Sequence, residues 1–344
     1  MKAIILEEPF QLSLRQVAEP TRPGQDEALV QVKRVGICGT DLHAFSGVQN
    51  FFSYPRIMGH ELAVEVLEVG TADRPLDFAA GDQCCVIPYM NCGACIACRR
   101  GKSNCCTGMQ VLGVHIDGGM REQFTVPVDN LLRADGVPVE QLALVEMLCI
   151  GAHAAERARI STGENALVIG AGPIGLATAT FAKIAGADVM VMEMNETRLD
   201  FCAEALGIDK LIDAGRDPIT QIHQLLGGEL PTLVFDCTGN EGSMEAAFDY
   251  VAHGGSLVLV GHIKGDLTFS DPHFHSREMT LLASRNATPS DFARVIKCLQ
   301  LGAINLDPWI THRAAPETLV DAFPTWLDPA TGVIKAMLSF DQLQ

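Results

Sequence analysis

Four cysteines fall within one short stretch, Cys92-x2-Cys95-x2-Cys98-x7-Cys106. Thiolates at such spacing suit a closed, tetrahedral zinc site. One loop can wrap the ion at little cost in chain-closure entropy. Bacterial iron–sulfur proteins use a similar run, but their fourth cysteine follows after three residues and precedes proline. Here the last gap is longer and Thr107 follows Cys106. The pattern therefore predicts zinc. An ion with four protein ligands has no open position, so this one shapes a lobe and does no chemistry. Cys105 adjoins the run, and the longer final gap selects Cys106 over it.

A second constellation is Gly170-Ala171-Gly172-Pro173-Ile174-Gly175. The spacing alone is a weak signal, but it lies between an apolar run, Ala166–Ile169, and an alanine-rich helical stretch. Glycines there let backbone approach a pyrophosphate, and the helix start offers free N–H groups and the positive end of its dipole. Glu193 falls about 20 residues on, at the end of the next apolar run, where an acid accepts from ribose hydroxyls. It would repel a 2′-phosphate, so NAD is favoured over NADP. Arg198 is the residue that could reverse the preference.

A third set is Cys38-Gly39-Thr40-Asp41-Leu42-His43 and Gly59-His60-Glu61, which supply a thiol, imidazoles and carboxylates. With these motifs, the cysteine run, Asp117-Gly118-Gly119, the glycine motif and Asp236-Cys237-Thr238-Gly239 in one order, the chain resembles the zinc-dependent medium-chain alcohol and polyol dehydrogenases. It is most similar to their sorbitol and threonine dehydrogenase branch. The resemblance spans nearly the whole length. It implies an α/β fold: a GroES-like, β-rich catalytic domain plus a Rossmann domain with a doubly wound parallel sheet. It also implies two zinc ions per subunit and NAD.

On this resemblance Cys38 and His60 hold a catalytic zinc. The third ligand comes from the helical segment after residue 142, where Glu146 and Cys149 compete and the branch's pattern selects Glu146. Glu61 matches a carboxylate that can enter or leave the coordination sphere. Asp41 matches a partner that fixes the histidine tautomer. Thr40 and His43 match a proton relay, a hydroxyl followed by an imidazole that can reach solvent. Thr238 lies in a cofactor-side motif. Two departures stand out: Met147 where proline usually follows the glutamate, and Val64 where many relatives have glycine.

These side chains need two kinds of scaffold. The first 150 residues read as short strands, such as Ala28–Val32 and Leu62–Leu67, broken by Gly and Pro. From Leu142 to Arg157 the pattern turns helical. Then Ala166–Ile169, Val189–Met192, Leu233–Phe235, Leu257–Val260 and Thr280–Leu282 read as strands buried on both faces, alternating with helices. A helix near Asp291–Leu301 and a strand near Val333–Phe340 close the chain. The expected division is a catalytic domain over 1–150, with 285–344 packing back on it, and a nucleotide domain over 151–284.

The chain's 344 residues accommodate two domains, and its net charge of −17 disfavours nucleic acid as a partner. Twelve cysteines without a recognisable export signal point to reduced thiols in a cytoplasm. The uncharged run 165–182 is interrupted by glycines and Pro173, which argues against a membrane span. The segment Val48–Arg56, including Asn50 and Phe51, and the stretch Ser284–Pro289 are similar to bacterial sugar-acid dehydrogenases of the L-galactonate (L-gulonate) 5-dehydrogenase kind. A hexonate needs a cation for its carboxylate; Arg285 is the first candidate and Arg56 the second. Polyol or L-threonine oxidation is the alternative. A zinc-free quinone reductase should lack Cys38, His60 and the cysteine run. A non-enzymatic NAD-binding regulator would tolerate loss of Thr40 and His43. Relatives usually form homodimers or homotetramers.

Overall fold

The computed structural model describes residues 1–49 and 52–340; Asn50 and Phe51 of the substrate-side segment lie outside the described residues. The chain divides into two compact units, Met1–Glu146 with Thr288–Gln344, and Met147–Ala287.

The first unit is built around the long strand Glu27–Ile37. Its alternating pattern buries Ala28, Val30 and Val32 while Gln31 and Lys33 stay partly exposed, as a half-buried strand requires. It pairs antiparallel with Glu61–Val69 on one side and with Lys335–Ser339 on the other. Gln83–Val86, Leu131–Arg133, Ile310–Ala314 and Gln123–Pro127 complete this sheet. A smaller sheet joins Gln11–Gln16, Lys2–Glu8 and Arg56–Ile57. Val64 lies in the strand Glu61–Val69 beside a register shift against the long strand and is fully buried, so the chain does without the glycine freedom some relatives have there.

The second unit holds six parallel strands in the order Lys210–Asp213, Asp188–Glu193, Asn165–Ile169, Leu233–Asp236, Ser256–Leu259, Thr280–Ala283. Strand order reverses between Asn165–Ile169 and Leu233–Asp236, the crevice where doubly wound sheets bind ligands. The run 165–182 is resolved into the first of these strands, the glycine turn and the helix Pro173–Ile184. Among the described residues no helix is long and apolar enough to cross a membrane.

Candidate metal centres and dinucleotide site

In the cysteine lobe, donor atoms of Cys92, Cys95, Cys98 and Cys106 lie within 4.8 Å of one another. Four sulfurs about 2.3 Å from one zinc would stand about 3.8 Å apart, so the group fits the ion. Backbone N–H groups point at the sulfurs: Cys92 N donates to Cys106 Sγ (3.3 Å) and Cys95 N to Cys92 Sγ (3.4 Å). Backbone donors from Cys98 and Thr107 pull the Cys95 thiol down to about 5, and those of Ala94 and Cys95 lower that of Cys92. Burial and its crowded sulfur neighbours push Cys98 up to about 12. Without a cation four thiols this close cannot all ionise; zinc removes the conflict. Cys105 is exposed and outside the group, and no cysteine forms a disulfide.

The second group is Cys38, His60 and Glu61, again with donors within 4.8 Å of one another. Cys38 caps the helix Gly39–Phe45, and its backbone N–H donates to Asp41 Oδ2 (2.9 Å). Asp41 Oδ1 stands 3.8 Å from His60 Nδ1, an ion-pair distance too long for a hydrogen bond. Asp41 Oδ1, His60 Nδ1 and Glu61 Oε2 are all buried without a hydrogen-bond partner. Burial opposes a charged His60, yet Cys38 and then Asp41 outweigh it and hold the ring well above its ordinary range. The surrounding anions thus favour a cation at this place. Sulfur, nitrogen and oxygen donors of this kind suit zinc.

Glu146 is not in that mutually close group, nor is Cys149. Glu146 lies in the first turn of the helix Val145–Ala158, which runs unbroken through Met147. It is buried and accepts from the Tyr89 hydroxyl. Burial raises its pKa, while nearby His60 opposes the rise. Thr40 and His43 lie one turn apart on the helix Gly39–Phe45, the first half-buried and the second exposed.

Sequence reasoning missed Lys335. Its Nζ donates to Glu61 Oε1 (2.6 Å) and to the Ile37 carbonyl (3.0 Å), with side-chain exposures of 1% and 0% for Lys335 and Glu61. Burial opposes its charge, but Glu61 and Cys38 outweigh burial and raise its pKa. The available signal was one lysine inside an otherwise apolar closing strand, Lys335–Ser339.

At the glycine turn Gly170 has φ +93°, and a Cβ on Gly175 would come 1.7 Å from the Gly170 carbonyl oxygen. Both positions therefore require glycine. Gly172 caps the helix and Pro173 and Ile174 begin it, with no side chain capping the first N–H groups. Glu193 accepts from Ala171 N (2.8 Å), Met194 N (2.8 Å) and Asn195 N (3.1 Å). A carboxylate has about four lone-pair sites, so it shapes the turn and keeps capacity for a ribose hydroxyl. The Arg198 guanidinium hangs over the turn, 3.9 Å from where a Gly172 Cβ would be. Thr238 stands at the crevice beside Gly170, tied through N and Oγ1 to Asp236 Oδ1.

Of the two substrate-side arginines, Arg56 is paired with Asp117 (3.2 Å) and Ser53 (2.7 Å). Arg285 is exposed just beyond the carboxyl end of Thr280–Ala283.

Residues 24–136 match the alcohol dehydrogenase GroES-like domain, and residues 173–300 match zinc-binding dehydrogenase. An L-galactonate-5-dehydrogenase of Escherichia coli K12 is 43% identical over 340 residues, covering 99% of each chain. The chain belongs to the zinc-binding alcohol dehydrogenase family. This dehydrogenase is also 31% identical to a 2-dehydro-3-deoxy-L-galactonate 5-dehydrogenase of Pseudoalteromonas atlantica, over 88% of each chain. An alcohol dehydrogenase from E. coli CFT073, solved with the cofactor NADH, matches it at TM-score 0.90 and 30% identity, covering 99% of each chain. It is an oxidoreductase with the GroES-like and Rossmann architecture.

Proposed function

We propose that this dehydrogenase oxidises a secondary hydroxyl of a sugar acid to the ketone, specifically a hexonate such as L-galactonate or L-gulonate at C5. The observation that carries the substrate class is the 43% identity, end to end, with an L-galactonate-5-dehydrogenase. Cys38, His60 and Glu146 would hold the catalytic ion, and Cys92, Cys95, Cys98 and Cys106 the structural one. When bound, zinc eases loss of the hydroxyl proton and NAD accepts the hydride, giving ketone, NADH and one proton. The glycine turn, Ile174, Glu193 and Thr238 hold the dinucleotide, and Glu193 favours NAD over NADP. Asp41, facing His60 Nδ1, leaves Nε2 for the ion.

Thr40 takes the hydroxyl proton and His43 passes it to water, a path supported by their one-turn spacing and graded exposure. Thr40→Val should keep the zinc content and cut turnover by about 10²- to 10⁴-fold; unchanged turnover removes Thr40 from the relay.

Arg285, just beyond the carboxyl end of the strand Thr280–Ala283, is the first candidate cation for the carboxylate and Arg56 the second. A screen of NAD reduction over hexonates, polyols, L-threonine and simple alcohols tests the class. Arg285→Ala should raise KM for hexonates at least about tenfold while leaving polyols unaffected. Equal losses on both would end the carboxylate assignment. The reading includes reduced thiols in a cytoplasm and a homodimer or homotetramer. The strand Thr280–Ala283 is an end strand of its six-stranded sheet, the kind of edge along which a second copy can extend a sheet.

A further inference from the structure

A short loop crosses over the backbone that carries His60, and glycines hold both of its ends there. A Cβ on Gly113 would come 2.7 Å from Gly59 N, and one on Gly118 would come 2.3 Å from Gly59 O. Gly119 N donates to the same carbonyl (2.9 Å). Only glycine lets the two ends close on Gly59, the residue before His60. Between them stand four side chains, and three are engaged elsewhere: Val114 is buried, Ile116 packs on the apolar core and Asp117 pairs with Arg56. The fourth, His115, is partly buried, and its ring folds back on the loop, where Nδ1 accepts from Val111 N (3.1 Å). An imidazole nitrogen that accepts from an amide carries no proton, so the ring N–H is at Nε2. Val111 pairs with Tyr89 in a two-stranded ladder, and the Tyr89 hydroxyl donates to Glu146. His115 is thus tied through Gly59 to His60, and through Val111 and Tyr89 to Glu146, with a donor of fixed tautomer.

We propose that His115 is a specificity-determining residue: its Nε2–H donates to a substrate hydroxyl on a carbon next to the one oxidised. This rests on the reading of the site as one that oxidises a polyhydroxylated chain, and deepens it by naming a residue that reads hydroxyls. A neutral donor suits a hydroxyl oxygen, which accepts without bringing charge, whereas a carboxylate calls for a cation. The two roles therefore separate by substrate. Arg285 bears on acids alone; His115 bears on acids and polyols alike, because both carry a hydroxyl beside the reacting carbon. A simple secondary alcohol has no such group and gains nothing from His115. The bond from Val111 N holds the ring before substrate arrives, so little side-chain freedom is lost on binding.

Steady-state oxidation with NAD, beside zinc content, tests this on the full chain with L-galactonate, sorbitol and 2-butanol. His115→Asn should keep two zincs per chain and raise KM for L-galactonate and sorbitol about fivefold or more, with kcat within about twofold and 2-butanol unchanged. Asparagine keeps an oxygen for Val111 N but has no donor at the Nε2 position. Glutamine places an amide N–H there, so His115→Gln should stay within about twofold of wild type. Wild type should bind the 4-deoxy or the 6-deoxy hexonate more weakly by a similar factor, an arm that serves even if His115→Asn fails to fold. Four results each overturn the role of His115 alone: KM unchanged in His115→Asn, an equal loss on 2-butanol, a loss in His115→Gln as large as in His115→Asn, or full affinity for both deoxy hexonates. L-Galactonate refused while sorbitol is oxidised overturns the sugar-acid reading and leaves His115 tested on sorbitol. Oxidation of 2-butanol alone overturns both.

Discussion

His60→Ala should leave this dehydrogenase with one zinc per chain and lower its turnover by a factor on the order of 10⁴. His60 is buried, and its ring is the only nitrogen donor among the three mutually close groups Cys38, His60 and Glu61. Alanine removes a ligand and offers no replacement. The remaining thiol and carboxylates, crowded in a water-poor site, then take protons where they had shared a cation. A Lewis acid contributes several kcal/mol to the transition state, and each 1.36 kcal/mol is worth a factor of ten, so loss of about 5 kcal/mol gives the stated drop. The cysteine lobe draws on none of these residues and should keep its ion. Elemental analysis beside NAD-reduction assays checks both parts together. Two zincs retained, with turnover within tenfold of wild type, would remove His60 from the metal site.

The second large effect is on stability. Cys95→Ser should release the other zinc and open the lobe to trypsin, at least about 100-fold faster than in wild type. The lobe has almost no core of its own: the helix Ile96–Arg99 buries no residue, and Ile96 is 58% exposed. Its order must come from the metal, whose binding in small zinc domains is worth on the order of 10 kcal/mol. Cys95 is the thiol best prepared for ionisation by backbone donors, so a serine there removes the strongest anchor. Arg99, Arg100 and Lys102 lie inside the lobe as ready cleavage sites. Digestion followed by mass mapping locates the cut. Equal resistance in variant and wild type would show that the lobe stands without zinc.

The sequence disclosed most where chemistry restricts residue type. Gly175 is legible because any Cβ would strike the Gly170 carbonyl, and the spacing of the four cysteines is legible because one ion must reach all of them. The six-stranded sheet was visible except for Lys210–Asp213, an edge strand in which only Ile212 is fully buried, too short to show a pattern. The long strand Glu27–Ile37 was read only over its alternating part, because Val35, Gly36 and Ile37 are all buried where three strands meet. Residue types near Cys38 and His60 were evident, but not which carboxylate stands nearer. The nearer one is Glu61, whose buried partner Lys335 lies far away in the chain on a different strand. Arg56 stood as the second candidate cation, and its pairing was not legible because its partner, Asp117, lies far from it in sequence.

Anomalous diffraction at the zinc edge, from crystals of zinc-loaded protein, bears most directly on the whole account. Two peaks per chain are predicted. One should sit among Cys92, Cys95, Cys98 and Cys106; the other should lie about 2.3 Å from Cys38 Sγ and about 2.0–2.1 Å from a His60 nitrogen. A single peak, confined to the cysteine lobe, would contradict it.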